Sequence, residues 1–169
     1  TTKKWTVSDV NNYRENALAI AESIRKKNER FTCEDFSLKI LIEFASSNGL
    51  PLKLTSGEGV FRNMDVYNAN GNSKYDASPA GFANMVMLSY GAPDMQRTGL
   101  NTVAISKPQD ILIGDILAIA HDAKGQVNGG RAHHIQVVVK TSADKIWIYQ
   151  GNSGWSIRAC KRFRVTTIN

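Results

Sequence analysis

Phe31-Thr32-Cys33-Glu34-Asp35-Phe36-Ser37-Leu38 reads as the first turn of a helix with a cysteine at its tip. Thr32 is a good N-cap residue. Asp35, three positions on, can answer it in a capping box, where Glu or Gln is the usual partner. Apolar residues follow at helical spacing: Phe36, Leu38, Ile40, Leu41, Ile42, Phe44 and Ala45. Asn48-Gly49 stops the run and Pro51 lies just beyond. Cys33 is thereby placed at or beside the first helical position. Free backbone N–H groups and the helix dipole favour a thiolate there, and the thiolate is the nucleophilic form. Glu34 and Asp35 oppose it, because nearby negative charge raises a thiol's pKa. A histidine brought in by the fold has to offset them. The same residues also fit a buried, inert cysteine on an amphipathic helix.

Upstream, residues 1–7 read as a strand or arm anchored by Trp5 and Val7. Ser8 then caps a helix running to about Arg30, with Val10, Tyr13, Ala17, Ile20, Ala21 and Ile24 on one face. The two helices follow closely and form a corner. Downstream, residues 50–77 are rich in Gly and Asn, and their periodicity is weak. Such a loop is either one wall of a cleft or a surface excursion. Ser78-Pro79 starts a third helix to Tyr90, closed by Gly91 and Pro93. From residue 100 the period shifts toward strands: Thr102–Ile105, then Ile116–Ala120 after Gly114-Asp115. A Gly-rich loop, Asp122–Arg131, leads to His134–Lys140. Thr141–Asp144 turns the chain into Lys145–Gln150, and residues 155–166 give a last strand or two. Helices first and a strand meander second predict a single α+β domain over residues 1–169, with helices packed on an antiparallel sheet.

A chain of 169 residues fits one domain, and a hydrophobic fraction of 42% supports a core. No apolar run approaches the length of a membrane span, and no stretch resembles a secretory signal. The chain opens at Thr1, as a mature fragment or a domain of something longer would. A formal charge of +6 suits an anionic partner, although the basic clusters Arg25-Lys26-Lys27 and Arg158–Arg164 also read as ordinary solvated faces. Two cysteines, Cys33 and Cys160, are too few for a disulfide scaffold and could form one bridge, or be one reactive thiol beside a spectator. With no Cys-x-x-Cys and no His-x-x-x-His, neither a metal site nor a cofactor is expected.

A cysteine nucleophile needs a base, and the base needs a group that orients it. The histidines are His121, His133 and His134, and the last two open a strand after the glycine-rich loop. After the hairpin return come Gln150 and Asn152. Either amide carbonyl could accept from an imidazole N–H and fix its tautomer. Strand alternation puts His134, Gln136 and Val138 on one face, and His133, Ile135, Val137 and Val139 on the other.

The pieces Thr32-Cys33-Glu34-Asp35-Phe36, Gly114-Asp115-Ile116-Leu117, His134-Ile135-Gln136-Val137-Val138 and Tyr149-Gln150-Gly151-Asn152, in this order, resemble the papain-like cysteine amidases of the CHAP type and their NlpC-type relatives. The resemblance spans about residues 28–155. It implies a papain-like fold and cleavage of amide bonds in peptidoglycan peptides. In that family Cys33 would be the nucleophile, His134 the general base and then acid, and Asn152 the orienting residue. Gln150 stands where Glu is common, so the imidazolium would be less stabilised. Asn28 and the Cys33 backbone N–H would be the oxyanion donors, and His133 is the rival base. Thr32 and Glu34 depart from the residues usual beside the family's cysteine. Secretion or delivery into a target cell's wall as an antibacterial toxin domain, with a cognate immunity protein as partner, follows from the resemblance alone. Two other readings are a deamidase or protease acting on a protein, and a non-catalytic polyanion-binding module with a Cys33–Cys160 disulfide. Nucleic acid is not an expected partner, because few aromatics interleave with the basic clusters.

Overall fold

The protein, a computed structural model, is described for residues 3–63, 76, 78–120 and 129–152, and for the backbone of 155–164. Two helices come first, α1 (Val7–Lys26) and α2 (Cys33–Ser47). Thr6, not Ser8, caps α1. Its hydroxyl accepts from the Asp9 N–H, and the Asp9 carboxylate accepts from the Thr6 N–H at 2.9 Å. The reason is reciprocity: a carboxylate stands three residues after Thr6, whereas Asn11 stands three after Ser8. α1 stops short of Arg30 because Asn28 takes a left-handed φ of +55°, which Asn tolerates better than most residues. Trp5 does anchor the arm. Its Nε1–H donates to the Pro51 carbonyl at 2.7 Å, and its ring lies 5.9 Å from that of Phe44. Val7 does not anchor, since the first turn of α1 leaves it 79% exposed.

Two short strands, β1 (Lys53–Thr55) and β2 (Val60–Arg62), form a hairpin inside the stretch expected to be a loop. Three residues each are too few for alternation to show. Residues 64–75 and 77 of that stretch lie outside the described residues. Ser78 caps α3 (Pro79–Met87) through the Gly81 N–H, as its sequence predicts. Gly91 and Pro93 do not close a helix but open one, α4 (Ala92–Gln96). Pro93 sits in the first turn, where its missing N–H costs nothing, and the Asp94 carboxylate accepts from the Gly91 N–H at 3.0 Å. The strand expected at Thr102–Ile105 does not form. Thr102 alone makes an isolated bridge, opposite Thr98, its carbonyl accepting from the Gly99 N–H at 2.8 Å and its N–H donating to the Arg97 carbonyl, and Val103 is left 89% exposed.

The main sheet contains β3 (Ile116–Ile119), β4 (His134–Thr141), β5 (Lys145–Asn152) and β6 (Trp155–Arg164), in that spatial order and all antiparallel. The architecture is α+β, with the helices preceding the sheet. α2 is the central element and is buried on nearly all sides. Phe36 and Ile40 share a cluster with Ala17, Ala21 and Ile24 of α1 and with Val137 and Val139 of β4. Leu38, Ile42 and Ala45 share a second with Phe82 and Val86 of α3, and with Ile135. The opposite sheet face has its own small core of Val138, Ile146 and Ile148, with Ile111 and Leu117. Ile135, Val137 and Val139 therefore face the helices, while Val138 faces away, as alternation requires.

Two glycines fix how the layers meet. Gly114 has φ +89° at the turn before β3, and a Cβ there would stand 2.7 Å from the Tyr13 ring of α1. At Gly151 of β5, a Cβ would overlap the carbonyl oxygen of Thr32. The end of β5 thus lies directly on the backbone that leads into α2.

Candidate active site

Cys33 is the first residue of α2, and Thr32 is its N-cap, accepting from the Asp35 N–H at 3.3 Å. The expected capping box is not closed. The Asp35 carboxylate does not return to the Thr32 N–H, and its buried Oδ1 has no partner among the described residues. Burial in turn raises the pKa of Asp35 above the usual carboxylate range. As the first helical residue, Cys33 has an N–H that the helix itself does not use.

The thiol is a free one and only 7% exposed. It donates to Glu34 Oε2 at 3.0 Å. Burial, followed by this bond to a carboxylate, pushes its pKa up to about 12. Backbone N–H groups of Ile135 and Glu34 also reach the sulfur and pull the other way, more weakly. The thiolate expected from the helix terminus is thus outweighed in this conformation. Desolvation and a neighbouring carboxylate exceed what two peptide dipoles supply. A Cys33–Cys160 bridge is not formed at Cys33; the side chain of Cys160 lies outside the described residues.

His134 opens β4, and its Nε2 bonds Gln150 Oε1 at 2.7 Å. An amide oxygen only accepts, so Nε2 carries the proton, and Nδ1 of the neutral ring keeps its lone pair. Gln136 Nε2 donates to the same oxygen at 2.9 Å, which holds Gln150 in place from a second side. Gln136 is 7% exposed and was not anticipated as a site residue. Its signal was an amide two positions after His134 within an apolar run. Asn152, the anticipated orienting residue, is exposed at the end of β5 opposite Trp155, and Gln150 takes that place instead. The physical reason is register. Val137 pairs with Tyr149 and Val138 with Ile148, so Gln150 lies across from Gln136 on the face that carries His134.

The structure brings Cys33 to the backbone of Ile135, one residue from His134. It does not join the two side chains by a hydrogen bond. Alternation carried back one residue puts the exposed His133 on the helix side of the sheet, and among the described residues no side-chain bond orients its ring. Asn28, the anticipated oxyanion donor, has an exposed side chain, and its left-handed backbone accounts for an Asn at the end of α1. His121 lies outside the described residues. A cleft of about 840 Å³ runs beside α2, with Ser37, Leu41, Tyr90, Ile116 and Ala118 in its walls. Neither Cys33 nor His134 lines it. Ser37 Oγ nevertheless donates to the Cys33 carbonyl at 3.0 Å, and Ala118 is the cross-strand neighbour of Ile135. The cleft therefore ends one helical turn from the cysteine. No helix among the described residues is long and apolar enough to cross a membrane. No family model, curated protein or solved structure matches the chain.

Proposed function

We propose that the protein is a cysteine hydrolase of amide bonds, with a papain-like arrangement and peptidoglycan peptides as its substrate class. One observation carries the reading. The first residue of the central helix is a cysteine whose sulfur rests on the backbone of β4, next to a histidine whose tautomer is set by Gln150. In the reaction the His134 ring turns over the mouth of β4 and Nδ1 takes the thiol proton. The thiolate adds to the amide carbonyl. The imidazolium then protonates the leaving amine as the C–N bond breaks, and water releases the acyl group from sulfur. The Cys33 N–H, which α2 itself does not use, would meet the developing oxyanion. The peptidoglycan substrate, a role as a delivered toxin domain and an immunity partner rest on the motif resemblance.

The test is release of amine-bearing fragments from purified peptidoglycan, followed by mass spectrometry. Wild type is expected to release them. Cys33→Ser and His134→Ala are expected to lose at least about a hundredfold in rate, and His133→Ala to stay within a few-fold of wild type. Loss in His133→Ala with retention in His134→Ala would move the base to the helix side of the sheet. Inactivity on peptidoglycan with cleavage or deamidation of a protein substrate would move the substrate class.

A further inference from the structure

A thiol has a single proton to donate. In Cys33 that proton is directed to Glu34 Oε2 at 3.0 Å, and so to neither histidine. Glu34 is the adjoining residue in the first turn of α2 and is partly buried. Its carboxylate can therefore arrive or leave by side-chain rotation alone, with no movement of the helix. Around the same sulfur stand two donors suited to the opposite state, the N–H groups of Glu34 and Ile135. Backbone donors favour a thiolate, whereas a carboxylate acceptor requires the thiol. We propose that Glu34 is a positioning residue that masks the nucleophile. It holds Cys33 as a bonded thiol, and rotation of its carboxylate leaves the sulfur to the two N–H groups. The thiol proton then passes to a histidine nitrogen, giving a thiolate and an imidazolium with no other bond made or broken. The consequence for catalysis rests on the cysteine-hydrolase reading, but the masking is a property of the free protein.

Asp35 supplies the control. It is the other carboxylate of the first turn, and it answers to Thr32 rather than to the thiol. The experiment is alkylation of Cys33 by iodoacetamide across about pH 6 to 10, followed by peptide mass spectrometry, in wild type, Glu34→Gln, Glu34→Ala and Asp35→Asn, each checked for folding by circular dichroism. Both Glu34 variants are expected to be alkylated about tenfold faster than wild type at each pH in that range, as a midpoint lower by about one pH unit gives. Asp35→Asn is expected to follow wild type. Two variants at position 34 keep the test intact if one of them does not fold. Coincident profiles for wild type and a folded Glu34 variant would overturn the proposal. So would an equal acceleration in Asp35→Asn, since that marks a general charge effect and not a bond. Faster alkylation without peptidoglycan cleavage would leave the masking in place and remove the amidase reading.

Discussion

Two opposed influences meet at the Cys33 sulfur. Peptide N–H groups at the start of α2 and on β4 favour charge, whereas burial and Glu34 disfavour it and prevail. The site's second half is better organised than its first. The carbonyl of Gln150 accepts from both His134 and Gln136, so the neutral resting imidazole has one tautomer, with Nδ1 unprotonated. Removing that acceptor leaves the ring free to exchange tautomers, and a ring protonated on Nδ1 cannot take the thiol proton there. Gln150→Ala is therefore expected to lower kcat by about tenfold or more with KM little changed, a split that steady-state kinetics on a peptide amide would read. Gln136→Leu, which removes only the supporting donor, should cost less. A KM rise with kcat unchanged would instead mark Gln150 as a substrate contact.

The decisive contact between elements is β5 against the chain that enters α2. A strand can lie on another segment's carbonyl only where it has no side chain, and Gly151 supplies that position. Gly151→Ala forces β5 and the Cys33 turn apart, and the obstacle is backbone that cannot rotate away. The expected cost is about 1–3 kcal/mol in chemical denaturation, together with reduced alkylation selectivity at Cys33. Gly57→Ala is the matched control. It meets no atom within 4 Å and is expected to stay within about 0.5 kcal/mol of wild type. An element was readable from the sequence where its signals are local. α2 and α3 carry their caps and apolar periods within one contiguous stretch, Thr32 to Ala45 and Ser78 to Val86. The β1–β2 hairpin and α4 do not: each is too short to show a period, and each depends on neighbours such as Asn101, whose side chain bonds Thr55 and Asp94.

At the scale of the whole molecule, the buried acids titrate in one direction. Cys33, Tyr13 and Tyr90 all have raised pKa values in the fold, with burial the largest cause in each. A group whose folded pKa is raised contributes stability that is complete below its ordinary pKa and is lost as pH climbs through the folded one. For Cys33 that window opens near the ordinary 9.0 and extends to about 12. The urea midpoint is therefore expected to be level through neutral pH and to fall progressively above about pH 9. Cys33→Ala should lose less of its midpoint over the same range, while the tyrosines continue to contribute. A midpoint that rises with alkaline pH would contradict the burial of all three groups.

The sequence by itself determined that helices precede an antiparallel sheet, that α2 begins at Cys33 behind the Thr32 cap, and that His134 and Gln136 leave β4 on the same face. These are local matters, set by capping chemistry and by periods of 3.6 and 2. Tertiary structure alone decided that Gln150 and not Asn152 meets His134, because strand register is fixed by pairing across β4 and β5. It alone decided that the cysteine is buried and bonded to Glu34, because desolvation depends on what the rest of the chain lays over the helix end. Whether a thiol at a helix terminus is a thiolate is thus a question of surroundings, which no stretch of eight residues contains.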